Sequence, residues 1–279
     1  MIHWNPDPDL IHLGPLRIRW YGLMFVLGFG IGYQIVRKMC ARLGKPLEAL
    51  DKLLIYVVAG TTIGARLGHC LFYEPGYYLS RPLEILKIWE GGLASHGGTL
   101  GVILGIWLFS RKHKDFPFLW LLDTLSIPTA MVAGFIRLGN LMNSEIIGRP
   151  TDVPWAFVFE RVDKIPRHPG QLYESLCYFA LFALTMTLYR LKPDRPHGFY
   201  FGIMLIWIFG WRMILETFKE NQSAFEQGMF MNMGQLLSIP FVLTGIFLLV
   251  RALRSPDVPA PVPVSAAAKA PAAKRKKRR

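Results

Sequence analysis

The sequence predicts an all-α membrane protein, a polytopic bundle of about seven transmembrane helices with a small extramembrane element. Three observations predict it. Hydrophobic residues make up 52% of the chain and aromatic ones 13%, with a mean hydropathy of +0.30. The apolar residues gather into blocks of roughly 17 to 23, long enough to cross a hydrocarbon core about 30 Å thick. The basic residues concentrate in alternate loops, the asymmetry that cytoplasmic loops carry.

The apolar blocks lie near 20–36, 53–73, 93–109, 118–136, 171–189, 199–216 and 235–250. Arg37, Lys38, Arg42, Lys45 and Lys52 follow the first; Arg111, Lys112 and Lys114 the third; Arg190, Lys192 and Arg195 the fifth; Arg251 and Arg254 the last. These segments are expected inside, the other loops and the N-terminus outside, which an odd number of spans satisfies. The net charge of +13 is therefore read as a topology signal, with no nucleic-acid partner. Residues 1–19 hold no continuous apolar run like that of a cleaved signal peptide, so the first span is expected to do the targeting. Cys40, Cys70 and Cys177 form no CxxC pair and read as buried small apolar residues.

Residues 1–254 are read as one membrane domain and 255–279, rich in Pro and Ala and then basic, as a disordered cytoplasmic tail that can touch anionic lipid. The stretch from Glu74 to Gly92, with Pro75, Tyr77, Tyr78 and Trp89, suits an amphipathic element at the interface. Four prolines surround Trp155-Ala-Phe-Val-Phe159 within residues 149–170, where one or two short strands are expected outside the membrane.

Polar groups at membrane depth need a reason, since a charge near the hydrocarbon centre costs about 2.5–3.5 kcal/mol even on the lenient insertion scale. Tyr21 opens the first span after Trp20, as an aromatic-belt residue or a substrate contact. Arg66 and His69 lie in the second. In Gly91-Gly-Leu-Ala-Ser-His-Gly-Gly98, His96 opens the third span, either as a structural hydrogen-bonder or as a group for catalysis or substrate contact. Gly97, Gly101 and Gly105 form a bare stripe that lets a backbone or a lipid approach. Asp123 has no evident partner and is expected to reach cytoplasmic water.

The fourth span ends in Arg137-Leu-Gly-Asn-Leu-Met-Asn-Ser-Glu-Ile-Ile-Gly148. Arg137, Asn140 and Asn143 are spaced by three, so they share a helix face. A guanidinium beside amides suits a phosphate, because it offers a permanent, forked set of donors. Glu145 is expected to orient Arg137 as an ion pair. Arg212 and Glu216, four apart in the sixth span, form either a local salt bridge or part of the same outer-side site. The fifth span begins Arg167-His-Pro-Gly-Gln-Leu-Tyr-Glu174, adding His168, Gln171, Tyr173 and Glu174 on that side. No HExxH, Walker or GxSxG motif is present, so neither a metal nor a nucleotide is called for.

Together with Trp20-Tyr-Gly-Leu-Met24 and Met233-Gly-Gln-Leu-Leu-Ser238, these motifs closely resemble, in order, those of the bacterial prolipoprotein diacylglyceryl transferases. The resemblance covers the chain to about Arg254. It implies a seven-span inner-membrane enzyme, N-terminus periplasmic and C-terminus cytoplasmic, with residues 149–170 as a periplasmic element. Its reaction would move a diacylglyceryl group from phosphatidylglycerol to the lipobox cysteine in the signal peptide of a prolipoprotein, releasing glycerol phosphate without a cofactor or metal. It also implies functional roles for Tyr21, His96, Arg137, Asn140, Glu145, Gly148, Arg212 and Glu216; Gly148 is assigned by resemblance only. Ile136 and Leu141 depart from the family pattern, as does Lys219, where arginine is usual. Lysine keeps the charge but loses the fork.

Chemically, a thiol must lose its proton and a phosphate monoester must leave. A cysteine thiol is about two units less acidic than an imidazolium, so His96 can act as base only where cations also favour the thiolate. Arg137 and Arg212 are expected to bind the phosphodiester and stabilise the departing charge.

Overall fold

A computed structural model describes residues 1–13, 16–88, 91–219 and 231–256. Trp89 of the interfacial loop and the basic tail beyond Pro256 lie outside the described residues. The helices are α1 (Trp20–Arg42), α2 (Glu48–Phe72), α3 (Pro75–Ser80), α4 (Ser95–Lys112), α5 (Phe118–Asn143), α6 (Gly170–Leu191), α7 (Phe199–Leu215) and α8 (Met233–Arg254). Short 3₁₀ turns cover Pro82–Leu86 and Glu216–Phe218. The strands are β1 (Ile2–Trp4), β2 (Asp9–Leu13), β3 (Leu16–Arg19), β4 (Phe157–Phe159) and β5 (Pro166–Arg167).

Among the described residues, six helices are long and apolar enough to cross a membrane: α1, α2, α5, α6, the α7 segment running to Phe218, and α8. The seventh expected span corresponds to α4, whose 18 residues end in Arg111 and Lys112, so the count of seven is approximate. Leu54, Ile55 and Val58 on α2, like Leu243 and Phe247 on α8, are exposed. Side chains of this kind fit hydrocarbon, and in helices every backbone group is satisfied without water.

The chain divides into two compact units, Met1–Val36 with the described residues from Asp123 onward, and Arg37–Leu122. In the second unit, the stripe of Gly97, Gly101 and Gly105 on α4 meets a matching stripe of Gly60, Gly64 and Gly68 on α2. A Cβ on Gly68 would lie 2.8 Å from the Gly97 Cα, and one on Gly64 2.8 Å from the Gly101 Cα. Small residues at four-residue spacing on both helices let the backbones touch. Arg66, buried on α2, is an anchor for the loop ahead of α4. Its guanidinium donates to the carbonyls of Glu84 (2.6 Å), Ile85 (2.9 Å) and Gly91 (2.6 Å) and lies over the Tyr78 ring. The expected interfacial segment is α3 with the 3₁₀ turn after it. Cys40 and Cys70 are buried and Cys177 is half-buried, all with free thiols.

In the first unit, the expected extramembrane strands are β4 and β5, but a third partner comes from the N-terminus. β1 pairs in parallel with β4, in the register Ile2 with Phe157 to Trp4 with Phe159. The Trp4 indole donates to the Leu141 carbonyl at 2.9 Å. Leu141 packs with Phe157 and Phe159, so the leucine departure is absorbed by two neighbouring phenylalanines.

Asp123 does not reach water as expected. Its buried carboxylate accepts from the backbone N–H of Gly198 (2.6 Å) and Phe201 (2.8 Å). It thereby caps α7 from a different helix, where orphan N–H groups need acceptors. Asp123→Ala is expected to lower the thermal unfolding midpoint in detergent, because each buried donor left unpaired costs about 1–3 kcal/mol. Asp123→Asn should fall between that variant and the parent. An unchanged midpoint for the alanine variant would rule out the cap as a source of stability.

Candidate active site

One end of the first unit collects the polar residues of α5, α6 and α7. Arg137, Asn140 and Asn143 share the last turns of α5, as their spacing predicts. Arg137 Nη1 donates to Asn140 Oδ1 at 3.1 Å, Asn140 Nδ2 to Glu145 Oε2 at 3.0 Å, and Asn143 Nδ2 to Glu145 Oε1 at 3.1 Å. Glu145 therefore reaches Arg137 only through Asn140. The direct ion pair, expected with Glu145, is instead made between Arg137 Nε and Glu174 Oε2. Glu174 sits one turn into α6 and is buried, so it needs a counter-charge more than the exposed Glu145 does.

The same Glu174 accepts from Lys219 Nζ through its other oxygen, Oε1, at 2.5 Å. Lys219 Nζ lies 3.7 Å from Glu216 Oε2, which lies 3.9 Å from Arg212 Nε. The result is an alternating chain: Arg137, Glu174, Lys219, Glu216, Arg212. The two arginines sought from sequence are the ends of one network, and Lys219 is its middle. A point charge suffices there, because Lys219 bridges carboxylates from separate elements and needs no fork. Arg212 is the least engaged member. Its side chain is 47% exposed, and its terminal nitrogens make no hydrogen bond among the described residues.

The backbone is built around these groups. Ser144 (φ 57°) and Ile146 (φ 56°) are both left-handed, a conformation that costs a side-chain-bearing residue roughly 1–3 kcal/mol and tends to occur at functional sites. They stop α5 abruptly and hold Glu145 between them, while the Gln171 amide nitrogen donates to the Glu145 carbonyl. Asn143 Oδ1, Ser144 Oγ and Gln171 Oε1 are buried without a hydrogen-bond partner among the described residues. Gly148 lies where three segments meet: its N–H donates to the His168 carbonyl at 3.0 Å, and it bridges to Lys219. A Cβ there would lie 2.6 Å from the His168 carbonyl oxygen and 2.8 Å from that of Phe218. The residue is a close-approach glycine that lets the Lys219 segment reach α5 and α6. Gly234 does the same for Glu216, whose carboxylate carbon would be 2.8 Å from a Cβ on that first turn of α8. A helix N-terminus favours that negative charge. α8 starts with a capping box between Asn232 and Gln235.

Tyr21 packs across Gly139, with its hydroxyl toward Asn140. His168 stands beside Phe218, its Nδ1 3.1 Å from the Tyr173 hydroxyl, which accepts from the Trp155 indole at 2.8 Å. The Tyr173 proton is thus free for Nδ1, which leaves the His168 proton on Nε2. Burial pushes His168 below the usual imidazole range, in keeping with the neutral ring. Buried Arg167 donates to Asp163 (2.7 Å) and to the Gly148 carbonyl (3.2 Å), and holds the Asp163 carboxyl below its ordinary range.

His96 belongs to the second unit. It is the second residue of α4, exposed, and its ring touches those of Phe72 and Tyr73. Gln171 and Glu174 are placed on this side by the sequence and Lys219 is marked by the resemblance, but their partners come only from the structure. The signal for Glu174 was there: a carboxylate inside an apolar span requires an opposite charge from another helix. Asp7, Asp9 and His12 bring possible metal-ligand atoms within 4.8 Å of one another, but Asp9 already pairs with Arg19 at 3.3 Å.

A family model described as prolipoprotein diacylglyceryl transferase matches residues 8–251. The chain is 55% identical, over 250 residues covering 90% of it and 97% of the relative, to the phosphatidylglycerol–prolipoprotein diacylglyceryl transferase of Tolumonas auensis. It is 46% identical over 254 residues to the protein of that name in Chloroherpeton thalassium, covering 91% of this chain and 95% of that one. The likeness to the one from Bacteroides fragilis is 48% over 259 residues, 88% of this chain and 93% of the relative.

Proposed function

The chain belongs to the prolipoprotein diacylglyceryl transferase family, and we propose that the ion-pair chain from Arg137 to Arg212 is where the lipid phosphate binds during transfer. The activity is that of a multi-pass membrane transferase moving a diacylglyceryl group from phosphatidylglycerol to prolipoproteins, the first step of lipoprotein maturation. The acceptor is the lipobox cysteine. The membrane is the bacterial inner membrane, with the site toward the periplasm, the N-terminus periplasmic and the C-terminus cytoplasmic, a topology that the alternation of basic loops supports.

The observation that carries this reading is that Arg137 and Arg212, far apart in sequence, terminate one network of buried carboxylates and Lys219. Three cations alternate with carboxylates, so the guanidiniums are held in place with donors to spare. In the reaction the cysteine thiolate forms a bond to the glyceryl carbon that carries the phosphate, and the carbon–oxygen bond breaks with its electron pair leaving as glycerol phosphate. Arg137 and Arg212 hold the phosphate and bind it more strongly as the charge on it grows. Glu174 and Glu216 orient the arginines, and Asn140, fixed by Glu145, directs an amide at a phosphate or glycerol oxygen. The unpaired amide oxygens of Asn143 and Gln171 suit glycerol hydroxyls, which are donors, better than phosphate oxygens, which only accept; the Ser144 hydroxyl serves either. Tyr21 and His168 border the same group of residues. His96 is the proposed acceptor of the thiol proton, a role that rests on chemistry and resemblance.

The experiment is direct: purified full-length protein, phosphatidylglycerol and a cysteine-bearing lipobox peptide, with thioether formation and glycerol phosphate release measured together. Equal amounts of both are expected, and none with a serine-for-cysteine peptide. For His96, the His96→Gln protein is expected to lose the parental rise in rate between about pH 6 and 9. A parental profile in that variant would exclude His96 as base.

A further inference from the structure

We infer a second anion site at the opposite end of the first unit, built by Lys192 and Arg195, that holds the phosphate of an anionic lipid in the leaflet away from the transfer site. α7 separates the two places: Phe199, its first residue, lines this cavity, and Glu216, just past its last, belongs to the ion-pair chain. Seventeen residues at about 1.5 Å each span about 25 Å, most of a hydrocarbon core about 30 Å thick.

The cavity has a volume of about 300 Å³ and lies between the end of α6, the start of α7 and the end of α8. Its polar wall is Lys192, Arg195 and Ser255; its apolar wall includes Phe199, Ala252 and Leu253. The Arg195 Nε is buried and has no hydrogen-bond partner among the described residues. The guanidinium lies over the Phe199 ring, 4.8 Å from its centre, and makes no ion pair among those residues. A buried guanidinium nitrogen left unpaired is costly, and a phosphate oxygen would satisfy it in the geometry that arginine favours. The Lys192 backbone is fixed beside it, because its carbonyl accepts from the Tyr200 hydroxyl at 3.1 Å.

Charge and shape choose the occupant. The sequence past Pro256 holds one acid, Asp257, against seven basic residues. Apolar walls beside a cationic one suit a headgroup with acyl chains running down the helices better than a free ion. The inference uses the proposed topology only to name the leaflet as cytoplasmic, and neither the site nor its test requires the transfer reaction.

The test uses full-length protein in phosphatidylcholine nanodiscs containing a photo-cross-linkable phosphatidic acid, a phosphate lipid that is not the diacylglyceryl donor. Label is expected on peptides containing Arg195 to Phe199 and Ala252 to Ser255. Lys192→Gln and Arg195→Gln should each reduce it about fivefold, the effect of one cation near the surface, with transfer from phosphatidylglycerol unchanged. Undiminished labelling in the double variant, or equal labelling by a phosphatidylcholine probe, would overturn the inference. Displacement by inorganic phosphate, but not by chloride at equal ionic strength, would also overturn it, because the site would then take free phosphate. Labelling that appears only in an Asp257→Asn variant would show that the chain's own carboxylate fills the site, and would overturn the inference as well.

Discussion

Arg137→Lys is expected to lower the rate of diacylglyceryl transfer by roughly 10²–10³-fold, the usual result of removing one group that stabilises charge developing in the transition state, while leaving the protein folded. The reason is geometric. Arg137 uses Nε on Glu174 and Nη1 on Asn140 and also hydrogen-bonds the Tyr178 hydroxyl, and a phosphate takes the guanidinium donors that remain. A lysine at this position keeps the positive charge that Glu174 requires, but it cannot satisfy the carboxylate, the amide and a substrate in three fixed directions. Arg137→Ala goes further, removing the charge and leaving Glu174 with Lys219 alone, so both activity and stability should fall. Steady-state rates with phosphatidylglycerol and a lipobox peptide, beside thermal unfolding in the same detergent, separate the two effects. A lysine variant with parental turnover would show that Arg137 does not hold the lipid.

Glu174→Gln should be the most damaging single change to stability within the site. This one carboxylate is shared by Arg137 and Lys219, and the amide leaves Arg137 without its counter-charge and Lys219 with only Glu216, 3.7 Å away. Breaking a buried ion pair from one side costs about 3–5 kcal/mol. The diagnostic variant is the double one. Glu174→Gln with Lys219→Met removes the carboxylate and the buried ammonium together, and recovers part of the lost stability, since a buried pair can be replaced by apolar packing at little cost. Transfer should stay low, because the link between the arginines is still gone. A double-mutant cycle on the unfolding free energies measures this coupling; strictly additive losses would mean that Glu174 and Lys219 act separately.

Much of this site was legible in the chain. A run of three-residue spacings on an amphipathic turn places Arg137, Asn140 and Asn143 on one face whatever the helix packs against, and the hydrogen bonds follow that spacing. Arg212 and Glu216 were equally visible as an i,i+4 pair, but their 3.9 Å separation makes the pair weaker than the chain to which it belongs. The Gly60, Gly64 and Gly68 stripe follows the same four-residue spacing as Gly97, Gly101 and Gly105, but which face of α2 meets α4 is set by packing, since Arg66 and His69 lie on the same span. The pairing of β1 with β4 was not readable. Three residues at one end of the chain and three more than 150 positions later carry no periodic signal that links them.

By itself, the sequence determined the helical membrane class, the locations of the long apolar helices and the side-chain types available at one end of them. These follow from local quantities, namely the length of apolar runs and the periodicity of the helix. Only the tertiary structure decided which charges are partners: Glu174 rather than Glu145 for Arg137, Lys219 as the bridge, and Asp123 as the cap of α7. The physical reason is that a buried charge selects its partner by distance and desolvation across packed elements. Those distances are set by how close the backbones can come, at Gly148 and Gly234 above all, and spacing along one helix does not contain them.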